Sequence, residues 1–374
     1  MKKVIAMILV GGKGTRLKEM TKSKAKPAIS FGAKYRLIDF TLSNLSHSII
    51  DTCGFITQYE PLELMSYIGN GASWDLDYTD GGVTFLTPYL KHDSIQWQKG
   101  TGHAVRQFYD FVEHHHPDYV MILPGDHIYK MDFNAMIEAM EIQNAEIMIA
   151  TTRLDGDLSR FGIVEVDDAN RVVAFEEKPD TPQSNLVSMG IYLFKKDILN
   201  ELLFSPTELL DFGKDIIPEA LKRGHRISAF EHTGYWRDVG TIQSLYDAHM
   251  EMLDHPEYLN LNQSGDLSIY SRSLNLKPHI VGMDGSVQSS VIADDCLING
   301  TVIHSTVAYS VKIKKDAKVV DSCIMSQCHI GRGASLKKVI VNEGVIIPDH
   351  YVANHDHLTL ITQDNIFEVG VVHE

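Results

Sequence analysis

The sequence predicts an α/β protein in two parts: a mostly parallel sheet covered by helices, followed by a parallel β-helix. Three observations predict it. Apolar runs and helical periods alternate over the first two-thirds of the 374 residues. A stretch rich in Pro, Asn and Ser then breaks the periodicity. Beyond it, short aliphatics recur at six-residue steps.

Taken in order, Val4–Val10 is a continuous apolar run ending in glycines, as expected of a strand buried on both faces. Leu37–Ile50 has helical spacing, Cys53–Thr57 reads as a strand, and Pro61–Ile68 as a helix opening on proline. Residues 69–100 hold several glycines, Trp74 and Trp97 but no clean period, and a loop this long in a compact domain is usually functional. Thr101–His115 reads as a helix, Tyr119–Leu123 as a strand and Asp132–Gln143 as a helix. Strands follow at Glu146–Thr151, Gly162–Val166, Val172–Glu176 and Ser188–Phe194, and a last amphipathic helix at Thr241–Leu253. Such alternation places ligands at the carboxyl ends of the strands.

The expected domains are residues 1–254, a linker at 255–278, and a hexapeptide-repeat domain at 279–374. In the last, Ile292 and Ile298, Ile313 and Val319, Ile324, Ile330 and Leu336, and Val341 and Ile347 stand six apart, each coil burying one aliphatic per side. Some steps are shorter.

Composition narrows the function. Hydrophobic residues at 44% and charged residues at 22% are ordinary for a globular chain. No apolar run approaches the roughly 20 residues of a membrane span. The run after Lys2 and Lys3 is too short for a signal peptide. Cys53, Cys296, Cys323 and Cys328 form no CxxC pair, which predicts reduced thiols in a cytoplasmic protein. The net charge of −15 argues against nucleic acid. Residues 1–36, however, carry ten Lys or Arg against Glu19 alone, net +9, leaving −24 on the remainder. A basic patch on an acidic protein suits a small polyanion such as a nucleoside triphosphate.

Gly11-Gly12-Lys13-Gly14-Thr15-Arg16-Leu17 follows the first strand directly. Glycines there let backbone N–H groups approach phosphate oxygens, and Arg16 can fork onto them. Leu17 breaks the dinucleotide fingerprint, and the P-loop spacing is absent. Lys26-Pro27-Ala28 follows ten residues on. Asp126, in Leu123-Pro124-Gly125-Asp126-His127, stands just past a buried strand, and Asp238, in Tyr235-Trp236-Arg237-Asp238-Val239-Gly240, precedes a helix. Two carboxylates plus phosphate oxygens are the usual way to hold Mg²⁺; taken singly, the two would read as a turn residue and an N-cap. Phe175-Glu176-Glu177-Lys178-Pro179 closes a strand where Lys178 can meet an anionic group and Glu177 sugar hydroxyls. His114, His115 and His116 fit a helix C-terminus rather than a metal site. His350, His355 and His357 read as loop residues.

Together these segments resemble the ADP-glucose pyrophosphorylases (glucose-1-phosphate adenylyltransferases) over nearly the whole chain. The motifs GGKGTRL, AKPAISFGAKYRLIDFTLSN, TQY, KGT, GDHIYKMD, SRFGIV, FEEKP, SMGIY, FGKDIIP and YWRDVGT occur in family order. The second is highly specific, whereas GGxGTRL marks only the broader sugar nucleotidyltransferases. The resemblance implies a Rossmann-like nucleotidyltransferase domain and a left-handed parallel β-helix. It also implies transfer of the adenylyl group of ATP to glucose 1-phosphate for glycogen synthesis, with Mg²⁺ and a small allosteric effector. Arg16 and Lys26 would hold the triphosphate, and Asp126 and Asp238 the Mg²⁺. Gly11, Gly12, Gly14, Thr15, Gln58, Gly100 and Thr101 would border ATP. Lys178, with Gly162, Glu177 and Ser188, would take glucose 1-phosphate. A homotetramer, with or without a regulatory paralogue, is implied as well.

Two positions depart from the family. Gln98 stands where many relatives have an aromatic, and Ser23 where relatives activated by a sugar bisphosphate have lysine, with Lys24 adjacent; no activator is transferred. Competing expectations are a UTP- or dTTP-dependent transferase, a non-catalytic regulatory subunit, and a hexapeptide acyltransferase using His304 or His329.

Overall fold

The computed structural model describes residues 2–11, 14–22, 24–88, 90–91, 94–95, 97–261 and 267–372. The chain divides into two compact units, Met1–Gly12 with Phe40–Trp236, and Lys13–Asp39 with Arg237–Glu374. The composition break lies near residue 254, whereas this division gathers the basic segment 13–39 with the C-terminal part.

The first unit is built on a nine-stranded sheet. Its strands are β1 (Val4–Leu9), β2 (Thr52–Ile56), β3 (Gly82–Leu86), β4 (Tyr119–Pro124), β5 (Ile147–Arg153), β6 (Gly162–Val166), β7 (Val172–Glu177), β8 (Leu186–Lys195) and β9 (Ile227–Glu231). Strands β4, β1, β2 and β3 lie side by side and parallel. Strand β8 enters antiparallel to β4, β5 and β6, and β9 pairs parallel with β5. Ile5, Ala6, Met7 and Ile8 are wholly buried, as the continuous apolar run requires.

Helix α1 (Leu37–His47) leads into this unit, and α2 (Pro61–Ile68), α3 (Thr101–Gln107), α4 (Tyr109–His115), α5 (Phe133–Ile142), α6 (Lys196–Leu203) and α7 (Ile217–Lys222) follow. The expected helix 101–115 is thus two helices, hinged where Phe108 leaves helical geometry at φ −110°, ψ 24°. Asp132 caps α5 by accepting from Asn134 N–H at 2.9 Å. The long stretch 69–100 is not all loop: β3 adds to the sheet edge after Gly81 and Gly82, both at positive φ, turn the chain. Among the described residues no helix is long and apolar enough to cross a membrane.

In the second unit, α8 (Ile242–Asp254) starts with a reciprocal cap between Thr241 and Ser244. Beyond it, short parallel strands stack into a β-helix with three faces. One face aligns Val281, Ile298, Ile313, Ile330 and Ile347 in a column. The second aligns Val287, Val302, Val319, Leu336 and Ala353. The third aligns Ile292, Val307, Ile324, Val341 and Ile361. The six-residue steps in the sequence are steps from one column to the next. Ile298, Ile313 and Ile330 are 15 and 17 positions apart, fewer than the about 18 of three full hexapeptides. Shortened corners therefore account for the slipped periods.

The basic segment packs within this unit. Lys24 pairs with Glu343, and Tyr309 donates to the Lys34 carbonyl at 3.3 Å. Phe31 meets the His249 ring edge-on at 4.9 Å. His304 lies between Asp321 at 2.7 Å and Asp254 at 3.0 Å, so this candidate acyltransferase histidine serves as a strut. His329 is an exposed strand residue. The four cysteines are buried and free, and burial pushes the Cys328 thiol up to about 12.

Burial lowers His249 to about 4, opposed in part by a backbone bond to Ser30. Its Nδ1 lies 2.9 Å from Thr306 Oγ1. The unfolded chain then binds a proton near pH 6.5 that the folded chain refuses until about pH 4, so stability falls as pH drops through that window. We expect the melting temperature to fall between pH 7.5 and 5, with a shallower pH slope in His249→Asn. Equal slopes in thermal melts of the two proteins would refute the assignment.

Candidate active site

Three expected residues leave the carboxyl ends of neighbouring parallel strands: Gly11 after β1, Gln58 after β2 and Asp126 after β4. The ladders run past the strand ends, with Val10 N–H donating to the Ile56 carbonyl at 3.1 Å and Gly125 N–H to the Leu9 carbonyl at 3.2 Å. Thr41 on α1 donates to the Pro124 carbonyl at 3.0 Å, so the turn carrying Asp126 is fixed from two sides. His127 Nε2 lies 3.8 Å from the Asp126 carboxylate. Trp236 Nε1 donates to His127 Nδ1 at 3.3 Å, which leaves the neutral ring's proton on Nε2.

Gly11 sits under close cover. A Cβ built there would lie 3.0 Å from Gln98 Oε1 and 3.2 Å from Gln58 Cβ. Gly100 is equally constrained, since a Cβ would stand 2.4 Å from the Leu210 carbonyl oxygen. The Thr101 hydroxyl donates to Asp211 at 3.0 Å and accepts from Phe212 N–H at 3.0 Å. Gly100 and Thr101 thereby clip the KGT turn to the DFGKD segment, and the threonine hydroxyl is spent on that clip.

A second cluster forms at the far end of the sheet. Gly162 on β6 is in register with Glu177 on β7. The Glu177 carboxylate fills the space a side chain would need at Gly162 and Gly213, its Oε2 being 3.0 and 2.4 Å from Cβ atoms built at those positions. Lys178 turns away at φ 54° and brings its ammonium to 2.6 Å from Glu177. Ser188 on β8 accepts from Gly190 N–H at 3.2 Å and reaches the Tyr192 hydroxyl at 3.5 Å. Burial pushes the Tyr192 phenol up; the Ser188 bond opposes this, and the charges of Glu177 and Asp211 add to it. The structure therefore joins Gly162, Glu177, Lys178 and Ser188 with three residues not assigned from sequence: Tyr192, Asp211 and Gly213. The motifs SMGIY and FGKDIIP, which hold Tyr192 and Gly213, were the available signal, with Asp211 immediately before the second.

The remaining described residues belong to the second unit. Gly14 adopts φ 59° and caps a 3-10 helix, Thr15–Thr21, with Thr21 Oγ1 donating to its carbonyl at 2.9 Å. Arg16 is exposed on that turn and has no ion-pair partner among the described residues. Lys26 Nζ stands 3.2 Å from Asp238 Oδ1, the two side chains only 12% and 26% exposed. Gly12, the side chain of Thr15, and Ser23 lie outside the described residues. Asp126 in the first unit and Asp238 in the second each offer a carboxylate, the hard oxygen donor type that Mg²⁺ takes. No three His, Cys, Asp or Glu among the described residues cluster to hold a metal by themselves.

Comparison with known proteins places the chain in a family. Residues 5–255 match the family described as Nucleotidyl transferase. Residues 278–372 match the GlmU-like, C-terminal hexapeptide family. A Bacillus cytotoxicus protein named glucose-1-phosphate adenylyltransferase is 44% identical over 368 residues, covering 96% of this chain and 98% of the relative. A Bacillus thuringiensis protein of the same name is 43% identical over 370 residues, with the same coverage.

Proposed function

The chain belongs to the glucose-1-phosphate adenylyltransferase family of nucleotidyl transferases, and we propose that the residues gathered above carry that reaction. The protein transfers the adenylyl group of ATP to glucose 1-phosphate, yielding ADP-glucose and pyrophosphate. The observation that carries this reading is 44% identity across 96% of the chain, with Arg16, Lys26, Asp126, Lys178 and Asp238 all in place.

A phosphate oxygen of glucose 1-phosphate attacks the α-phosphorus of ATP in line. The new P–O bond forms as the bond to the β-phosphate oxygen breaks, and pyrophosphate leaves. A phosphomonoester has its second pKa near about 6 and is mostly dianionic at neutral pH, so no general base is required. The work left to the protein is to hold two anions together and neutralise charge. Arg16 and Lys26 bind the triphosphate, with the backbone of Gly11, Gly12, Gly14 and Thr15 at its oxygens. Gln58, Gly100 and Thr101 shape the nucleotide side, the last two by positioning the turn. Lys178 takes the sugar phosphate, while Glu177, held by Gly162 and Gly213, and Ser188 place the sugar. Mg²⁺ held by Asp126 and Asp238 would neutralise phosphate charge when bound.

Pyrophosphate release with Mg²⁺ and glucose 1-phosphate, offering ATP, UTP, dTTP, GTP and CTP in parallel, tests the reading. ATP should be strongly preferred, with activity lost in EDTA and restored by Mg²⁺. Preference for another nucleotide would change the pathway, and no release from folded protein would favour a regulatory subunit. A role in glycogen synthesis, control by a small effector, a homotetramer with or without a paralogue, and a cytoplasmic location are further parts of the proposal, supported by family membership.

A second expected result isolates the sugar side. Gly213→Ala puts a Cβ 2.4 Å from Glu177 Oε2, so the carboxylate must swing away. The KM for glucose 1-phosphate should rise about tenfold, one hydrogen bond's worth, with the KM for ATP nearly unchanged. Equal effects on both substrates would show that Glu177 does not place the sugar.

A further inference from the structure

The geometry of Gln98 gives it a role of its own. Its Nε2 donates to the Thr57 carbonyl at 3.3 Å. A carbonyl can only accept, so this bond fixes which end of the amide is nitrogen and which is oxygen. The oxygen then points over Gly11, 3.0 Å from where a Cβ would stand. Among the described residues no donor reaches that Oε1. The atom is not fully buried, so it is open to water or to a ligand's donor.

Its surroundings suit a nucleobase. Gly11 and Gln58 follow the carboxyl ends of adjacent parallel strands, where open sheets bind ligands. Trp97, the neighbour of Gln98, stacks on Tyr59 with ring centroids 6.1 Å apart and planes 16° apart. Trp97 remains 57% exposed, so much of this aromatic pair is open to a ligand.

We propose that Gln98 reads the base of the nucleotide, its Oε1 accepting a hydrogen bond from the 6-amino group of adenine. The inference rests on the ATP-dependent reaction proposed above. Adenine offers a donor at position 6, whereas hypoxanthine and guanine offer a carbonyl oxygen there and the 4-position of uracil and thymine does the same. An acceptor fixed by its own second bond cannot rotate to serve them without breaking its hold on Thr57. Such a site rejects hypoxanthine, guanine, uracil and thymine by leaving two acceptors face to face, while cytosine, with its own amino group, is not excluded by this contact.

ITP is the sharpest probe, because it differs from ATP chiefly in this group and keeps the size of the purine. The test compares kcat/KM for ATP and ITP, at fixed glucose 1-phosphate, in the wild-type chain and in Gln98→Leu and Gln98→Met. Both variants keep bulk over Gly11 and lose the amide; thermal melts confirm that they fold. The ATP-to-ITP ratio should fall about tenfold in both, the size of one neutral hydrogen bond. A ratio within about twofold of wild type, whatever happens to total activity, would overturn the proposal and leave Gln98 as a buttress for Gly11. Wild-type protein that makes no ADP-glucose at all would instead overturn the function reading on which the inference stands.

Discussion

Asp238→Ala is expected to lower kcat/KM by about 10²–10³-fold while leaving the protein folded. Two consequences of one carboxylate add up to that loss. Its Oδ1 lies 3.2 Å from the Lys26 ammonium, and Lys26 is proposed to hold the triphosphate. A lysine on a flexible four-carbon stem has many rotamers, so an ion pair that fixes it matters for positioning. The same side chain is one of the two proposed to hold Mg²⁺. Removing it takes away both the anchor and a negative charge.

Stability has to be read separately. The pair is largely buried, so removing one partner also lowers the melting temperature, and kinetics are compared at a temperature where both proteins are folded. Asp238→Asn separates the two roles. Asparagine keeps an oxygen that can accept from Lys26 but carries no charge. If holding Lys26 dominates, the asparagine variant recovers much of the activity; if charge dominates, it is as impaired as alanine. Steady-state pyrophosphate release settles the question. Near-wild-type turnover in the alanine variant would remove Asp238 from the machinery. Gly240→Ala makes a milder companion, since its Cβ would come 3.3 Å from Asp238 Oδ2 and press on it only slightly.

How far these sites could be read from the sequence depended on how local the signal was. Buried parallel strands announce themselves because both faces are apolar, as at Ile5–Ile8, and the six-residue aliphatic steps map directly onto columns of the β-helix. The Lys26 and Asp238 motifs were singled out from residue type alone, and the structure pairs them across 212 positions. What stayed hidden needed the fold. Gly82–Leu86 lies inside a glycine-rich stretch whose turns masked a short edge strand. Asp211, Gly213 and Tyr192 join Glu177 only because β7, β8 and the segment after α6 meet in space. Gln98 is an ordinary surface residue by composition; its meaning comes from reaching Thr57 and Gly11, which lie far from it in sequence.

The β-helix gives the largest expected effect on stability. Gly331→Ala should destabilise the protein by about 3 kcal/mol, near the upper end for overpacking a well-filled interior. Stacked coils stand about 4.8 Å apart, which leaves no depth for a methyl group where the next coil's backbone lies directly opposite. A Cβ on Gly331 would fall 2.2 Å from the Pro348 carbonyl oxygen, 2.3 Å from its carbon and 2.4 Å from Asp349 N. All three are backbone atoms, held by the Gly331 N–H bond to Ile347 at 3.0 Å and by the coil beyond, so they cannot swing aside as a side chain would. Gly344 is the internal control. It sits at φ 73° with nothing within 4 Å of a built Cβ. Alanine there pays only the left-handed backbone strain, about 1 kcal/mol. Thermal or urea unfolding of the two variants should therefore rank them clearly, with Gly331→Ala far below Gly344→Ala. The opposite ranking would mean that backbone conformation, rather than contact between coils, fixes the glycines of this repeat.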